Sequence, residues 1–263
     1  MVVANMATFP PRAEKLPQVV DRILPQVDRL NIVFNEYDAI PPQYRNRPGL
    51  TPILPSEDTK DVGKFYPDVS DADYVFLVDD DVKYPHDYIS AMVCKFEALP
   101  TGRFLAGLHT SIYRKPRVGL TVGKMRRYAA FFLVPRRIAA FREVTSFNQD
   151  LGAPMLVDQV ATNAAILRGR DMPSYAYMRD SHKFVDVRLA RWCFEQGIKS
   201  VALPRKSGWL ETEADEHSIF WNFTQKHPAH VADEIRTYAF KRKFVGQSVA
   251  APARRPQDNP AKG

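Results

Sequence analysis

Five largely apolar residues run straight into three carboxylates at Tyr74-Val75-Phe76-Leu77-Val78-Asp79-Asp80-Asp81, and no other stretch limits the fold so tightly. The apolar run is rich in β-branched and aromatic side chains and reads as a strand buried on both faces. Lys83, Tyr84, Pro85 and His86 break the pattern, so a turn is expected after it. Ligands in open α/β sheets bind beyond the carboxyl ends of the strands, which puts the acidic triplet where a crevice is expected. Three adjacent carboxylates repel one another unless a cation or a set of donors offsets the charge. Mg²⁺ or Mn²⁺ shared with substrate phosphates would do so. The same triplet also suits a solvated acidic turn.

The surrounding chain favours an α/β domain. Val2 to Ala7 reads as a first strand, and Thr8-Phe9-Pro10-Pro11-Arg12 as a loop whose prolines start a helix. Leu16, Val19, Val20, Ile23, Leu24 and Val27 recur at helical spacing, with Pro25 placed to kink or end the helix. Leu30 to Phe34 is a second strand, which implies a parallel pair with a crossover. A short strand is expected at Thr51 to Leu54, a polar loop from Asp58 to Tyr66, a helix from Pro85 to Phe96 and a strand at Phe104 to Leu108. Ser111 to Thr121 reads as irregular, Tyr128 to Val134 as a strand and Pro135 to Val144 as a short helix. Val160 to Leu167 reads as one strand and Tyr175 to Lys183 as a mobile loop. A helix from Phe184 then stops at Gly197, and a strand runs from Ile198 to Leu203. Strands alternating with helices predict a three-layer α/β/α sandwich around a mostly parallel sheet.

Residues 1–240 are expected to form a single domain, with a nucleotide-binding half over 1–100 and an acceptor half over 101–240. The remainder, 241–263, combines basic residues with Pro, Ala and Gly, the composition of a chain without fixed structure. It holds six basic residues and one acid, so it carries +5 of the formal +7 and leaves the body nearly neutral. Nucleic-acid binding therefore gains no support from net charge. The tail could touch an anionic membrane surface weakly or simply aid solubility. No apolar run approaches the roughly 20 residues of a membrane span, and no signal-peptide pattern opens the chain. Cys94 and Cys193 have no CxxC or Cys/His context, which fits a reducing cytoplasm and argues against structural zinc.

Three motifs in order resemble a known family. They are Asp61-Val62-Gly63-Lys64-Phe65-Tyr66, then Asp79-Asp80-Asp81-Val82-Lys83-Tyr84-Pro85, and later Phe184-Val185-Asp186 leading through Gln196-Gly197-Ile198 to Arg205-Lys206-Ser207-Gly208-Trp209-Leu210. This pattern is similar to the GT-A glycosyltransferases, in particular the family 2-like group of bacterial capsule and surface-polysaccharide synthesis, over roughly residues 2 to 220. The resemblance implies a GT-A, Rossmann-like fold and a metal-dependent inverting transfer from a nucleotide-sugar donor to a saccharide or lipid-linked acceptor.

Asp81 is then the direct ligand of Mn²⁺ or Mg²⁺, and Asp79 contacts the metal through water or the ribose. Asp80 lies in the donor site or only shapes the turn. A metal there would neutralise the departing diphosphate, and Lys64, next to Gly63, would add a point charge. Thr8, Pro10 and Arg12 are expected to face base and ribose. Asn35, Asp38 and Asp61 would add polar contacts, although Asn and Asp also favour turns for structural reasons alone. Asp186 is the expected general base, an N-cap being its structural alternative. Where the family usually pairs acids, this chain has Val185-Asp186. His217 is placed to act as a late metal ligand, and Trp209 or Trp221 to stack on a sugar. Tyr175 to Lys183 is expected to act as a lid. A nucleotidyltransferase would want a glycine-rich first loop, which is absent. A phosphatase of the haloacid dehalogenase type would want threonine where Lys83 stands. A non-catalytic nucleotide- or sugar-binding module remains a third alternative.

Overall fold

In a computed structural model, residues 1–115, 121–123, 125, 138, 141–212 and 228–249 are described. Strands β1 (Val2–Thr8), β2 (Arg29–Phe34), β3 (Leu50–Ile53) and β4 (Tyr74–Val78) form a parallel set in the order β3-β2-β1-β4. The sheet then continues through β11 (Ala164–Leu167), β6 (Phe104–Gly107), β12 (Lys199–Ala202) and β9 (Met155–Val157). β11 runs antiparallel to both β4 and β6, and β9 antiparallel to β12. Since β12 is parallel to β6, the six remaining strands all point one way. The sheet is thus mixed but mostly parallel, as the alternation of elements predicted.

Its two faces are separately covered, which explains why the core strands carry no polar alternation. Met6, Ile32, Phe76, Val78 and Ile166 pack under α1 (Leu16–Ile23) and α3 (Tyr88–Glu97). Val3, Val75, Leu77, Leu105 and Ala165 pack under the 3₁₀ turn Lys60–Phe65 and α5 (Val185–Glu195). Between α1 and α3 in the chain lies the single turn α2 (Pro42–Arg45), and α4 (Tyr175–Met178) precedes α5. Pro25 acts as expected: α1 gives way at Leu24 to a 3₁₀ turn, Leu24–Gln26.

The second half departs further from the sequence reading. Thr110–Tyr113 is a strand, β7, within the stretch expected to be irregular. Arg142–Thr145 is a strand, β8, where a helix was expected, because it pairs antiparallel with β7. The expected strand Val160 to Leu167 is broken in two. Its start belongs to β10 (Gln159–Val160), which joins β7 and β8 in a small sheet, whereas β11 enters the large one. The Ala161-Thr162-Asn163 turn between them carries polar residues that a single buried strand could not hold. The strand expected at 128–134 lies outside the described residues.

The segment expected to be a mobile lid is docked. Ser174 caps α4 through the Tyr177 amide, Met178 is fully buried, and the Tyr177 carbonyl accepts from Arg188 Nη1 at 2.8 Å. Residues 241–249, expected to lack fixed structure, lie against the body of the fold. Helix α6 (Ala229–Tyr238) packs on α5 through Val231, Ile235 and Tyr238. Residues 246–249 then run beside β9, with the Leu156 amide donating to the Gln247 carbonyl and the Gly246 amide to the Leu156 carbonyl. Arg242, counted as a tail cation, turns inward and donates to Ser200 Oγ at 3.2 Å. Residues 250–263 lie outside the described residues. Among the described residues no helix is long and apolar enough to cross a membrane. The last two strands, β5 (Val82–Lys83) and β13 (Glu211–Thr212), pair just beyond the acidic triplet.

Gly107 is where β6 must admit the β10–β11 turn. A Cβ there would meet Val160 Cγ1 at 2.4 Å and the Ala164 carbonyl oxygen at 2.7 Å. Overpacking against backbone costs about 1–3 kcal/mol, so Gly107→Ala should lower the unfolding free energy by an amount in that range, read as a lower urea midpoint. An unchanged midpoint would show that the turn is not held this closely.

Candidate active site

The strands bring the predicted residues to one edge. Thr8 ends β1, Asn35 follows β2 and Asp79 follows β4, so all three lie at carboxyl ends of parallel strands. The Asn35 amide donates to the Thr8 carbonyl at 2.9 Å, extending the β1–β2 ladder into the loops. Because β11 runs the opposite way, its leading turn Thr162-Asn163 sits on the same edge, with Ala164 opposite Val78.

Lys64 is the hub of this edge. It is 5% exposed, and its ammonium pairs with Asp79 and donates to the Thr162 carbonyl at 3.2 Å. A buried ammonium is costly unless paired and hydrogen-bonded, and here it is both. Its backbone is fixed too: Asn5 Nδ2 donates to the Lys64 carbonyl at 2.8 Å, and Asn31 Nδ2 to Asn5 Oδ1 at 2.8 Å. Gly63 faces the sheet, where a Cβ would meet Thr59 Oγ1, Ala7 Cβ and Val33 Cγ1 within 3.2 Å. Its place in the site is to let the Lys64 turn lie flat on β1 and β2.

Thr162 gives its other backbone group to Asp186, its amide donating to Asp186 Oδ1 at 2.9 Å. Asp186 lies in the first turn of α5, where Phe184 is the N-cap. Its carboxylate bonds to a different element, so the capping alternative does not describe it. Burial raises the Asp186 pKa above the ordinary carboxylate range, with Thr162, Lys64 and Arg142 pulling the other way. A second buried acid, Asp61, lies near enough to Asp186 to feel its charge. Asp61 accepts from the Lys183 amide with both oxygens, at 3.0 and 2.9 Å, and its pKa is likewise raised, first by burial and in part by Asp186. Lys183 adopts φ 69°, a conformation that turns its amide toward Asp61.

The triplet divides as well. Asp80 is 2% exposed and, with Asp81, engages the guanidinium of Arg12: Nη1 meets Asp80 Oδ1 at 2.5 Å and Nη2 meets Asp81 Oδ2 at 2.9 Å. Pro10 opens the short 3₁₀ turn that presents Arg12. Thr8 Oγ1 lies beside Asp80 without well-formed hydrogen-bond geometry. Tyr84 holds the Asp79 backbone, its hydroxyl accepting from the Asp79 amide at 2.8 Å and donating to the Asn163 carbonyl at 2.6 Å. The sequence thus foresaw the triplet but not that two of its own basic residues offset part of its charge.

That offset is incomplete. Burial, then the charge of Asp79, push the Asp81 pKa up to about 6 against the opposing pull of Arg12. Two hard carboxylates with residual negative charge suit Mg²⁺ or Mn²⁺. Among the described residues no three His, Cys, Asp or Glu side chains gather into a metal-holding group. The rest of a metal's oxygen shell would therefore come from substrate and water. His217 and Trp221 lie outside the described residues.

Asn35 is spent on structure. Its Oδ1 accepts from the Thr59 amide at 2.6 Å and its Nδ2 donates to Asp58 Oδ1 at 2.8 Å, tying β2 to the loop that carries Asp61. Asp38 is exposed, and no contact among the described residues joins it to the cluster. Trp209 is partly buried, with Lys95 Nζ over its ring at 4.0 Å and Tyr88 packed against it. A cleft of about 610 Å³ opens on Asp80 and Asp81 between α1, at Gln18 and Arg22, and the Trp209–Glu211 segment.

No protein-family model and no curated protein matches the chain. Among solved structures, one titled "Crystal Structure of a Mycobacterial Protein" aligns with a TM-score of 0.43 at 14% identity, covering 82% of this chain and 68% of that one. A likeness this distant carries no functional argument.

His109 gives this edge a measurable signature. Burial, then Arg142 and Arg205, lower its pKa to about 4, although Asp79 pulls it up. An unfolded histidine titrates near 6.5, so the native ring resists a proton that the unfolded chain accepts. The sign follows: stability is undiminished above about pH 6.5 and is lost as pH falls toward 4. Imidazole NMR should show His109 neutral until about pH 4. A midpoint near 6.5 would mean that the ring is neither buried nor beside the two arginines.

Proposed function

We propose that the protein is a GT-A glycosyltransferase that moves a sugar from a nucleotide-sugar donor to a saccharide or lipid-linked acceptor with inversion. The observation that carries this reading is the convergence of Asp79, Asp81, Lys64, Asp61 and Asp186 on one edge of the sheet. These residues come from three separate motifs: Lys64 pairs with Asp79, and Thr162 joins Lys64 to Asp186. The split of the sheet into a parallel first half and a mixed second half supports the same reading, since one half suits a nucleotide and the other an acceptor.

In this reading the donor diphosphate lies against Asp79, Asp81, Lys64 and Arg12. A divalent ion held by Asp79 and Asp81, when bound, supplies Lewis-acid stabilisation of the leaving diphosphate. Lys64 and Arg12 add fixed positive charge where negative charge develops, in a partly buried setting that strengthens the effect. Asp186 takes the proton from the acceptor hydroxyl. Its burial raises its pKa toward the working range, which makes it a better proton acceptor than an exposed aspartate. The Thr162 amide fixes the orientation of the carboxylate. Bacterial surface-polysaccharide or glycolipid synthesis in the cytoplasm, against the inner face of the membrane, is the setting that the motif resemblance suggests.

Asp186→Asn keeps an oxygen for the Thr162 amide but removes the base. Turnover of the accepted donor, measured as nucleotide release in the presence of acceptor, should fall about 10²- to 10⁴-fold, with donor affinity unchanged. Equal turnover in the variant would remove Asp186 from the reaction.

A further inference from the structure

Beyond Thr162, on the side away from Asp79, two arginines have no carboxylate partner among the described residues. Arg142 Nε donates to Ser111 Oγ at 2.7 Å, its terminal amino groups meet no acceptor among the described residues, and the side chain is half-buried. Arg205 is 5% exposed and meets only neutral carbonyls: Leu203 at 3.1 Å, Thr145 at 3.3 Å and Ser146 at 2.6 Å. Its Nε is buried without a partner. With no carboxylate in ion-pair contact among the described residues, the two guanidinium groups leave positive charge in the wall, and that of Arg142 reaches Asp186.

The topology places that charge. In the small sheet, Gln159 lies opposite Ser111, and Arg142 opposite Tyr113. Residues two apart on a strand share a face, so Ser111, Tyr113, Gln159 and Arg142 all look the same way. Tyr113 and Tyr238 both donate to Gln159 Oε1, at 3.2 and 3.0 Å, and Tyr113 packs in one cluster with Phe184 and Val187. This face therefore looks at the start of α5, where Asp186 stands. Arg205 follows β12 as His109 follows β6, at the same sheet edge as Asp79.

We infer that Arg142, backed by the fixed charge of Arg205, binds an oxyanion carried by the acceptor, either a phosphate or a carboxylate. This rests on the donor–acceptor reading above. The donor phosphates belong on the Lys64 and Arg12 side of Thr162. The acceptor must put its hydroxyl within reach of Asp186, and Arg142 stands on that side. A planar fork held by one bond at Nε offers its two amino groups to an oxyanion in bidentate fashion.

The test titrates methyl phosphate and, separately, acetate into the full-length protein, following the arginine side-chain Nε–H signals by NMR. The wild type, Arg142→Gln and Arg142→Lys are compared. The account expects saturable binding of one probe to the wild type, at least about tenfold weaker in Arg142→Gln and intermediate in Arg142→Lys. The tighter probe identifies the acceptor group as phosphate or carboxylate. Should Arg142→Gln fail to fold, the shift of the Arg142 Nε–H signal in the wild type decides alone. Equal affinity in wild type and Arg142→Gln, or an Arg142 signal unmoved by either probe, overturns the proposal. Absence of nucleotide binding with oxyanion binding intact would sink the donor reading and the acceptor assignment, while the oxyanion site would stand.

Discussion

The buried ammonium of Lys64 is the group on which the rest of the edge depends. Burying a lone cation costs several kcal/mol even after relaxation, so the fold must supply partners from distant parts of the chain. It does so through Asp79 at the end of β4 and the carbonyl of Thr162 before β11. Thr162 then spends its amide on Asp186. One residue in a short turn thereby joins the buried cation to the Asp186 carboxylate. Any shift of that turn would cost the buried ammonium a hydrogen bond on one side and leave a carboxylate unheld on the other, and Gly107 is what lets it sit so close to the sheet.

Much of the first half was legible in the sequence because its signals are local. Apolar runs such as Tyr74 to Val78 are buried on both faces and need no partner information to be read as strands. Pro25 and Gly197 punctuate helices through backbone chemistry that acts at one position. The acidic triplet was legible for the same reason. Arg12 and Lys64 as its counter-charges were not, since nothing in the spacing of residues 12, 64 and 79 says that three loops meet.

The second half was harder because its strands are short and their pairing is nonlocal. β7 and β8 carry Ser, Thr, Arg and Glu and form a strand pair only because each finds the other across a gap of some thirty residues. Thr162-Asn163 was the available clue that the apolar stretch from Val160 to Leu167 is two strands. The stretch Tyr175 to Lys183 looked mobile because it lacks periodicity. It is held by single contacts, Met178 in the core and the Lys183 amide on Asp61, that no periodic pattern announces. The nearness of Asp61 to Asp186 shows the same limit, since the two lie 125 residues apart in the chain.

The central claim is that Asp79, Asp81 and Lys64 form a metal-assisted diphosphate site. The most direct measurement is calorimetric titration of UDP, GDP, CDP and dTDP into the protein, with and without Mn²⁺, in wild type and in the Asp79→Asn/Asp81→Asn double variant. The account predicts that one nucleotide binds the wild type with Mn²⁺ and that removing either the metal or the two carboxylates weakens it at least about tenfold, or 1.4 kcal/mol. Nucleotide binding of equal strength in the double variant, or none in the wild type with any base, would contradict it.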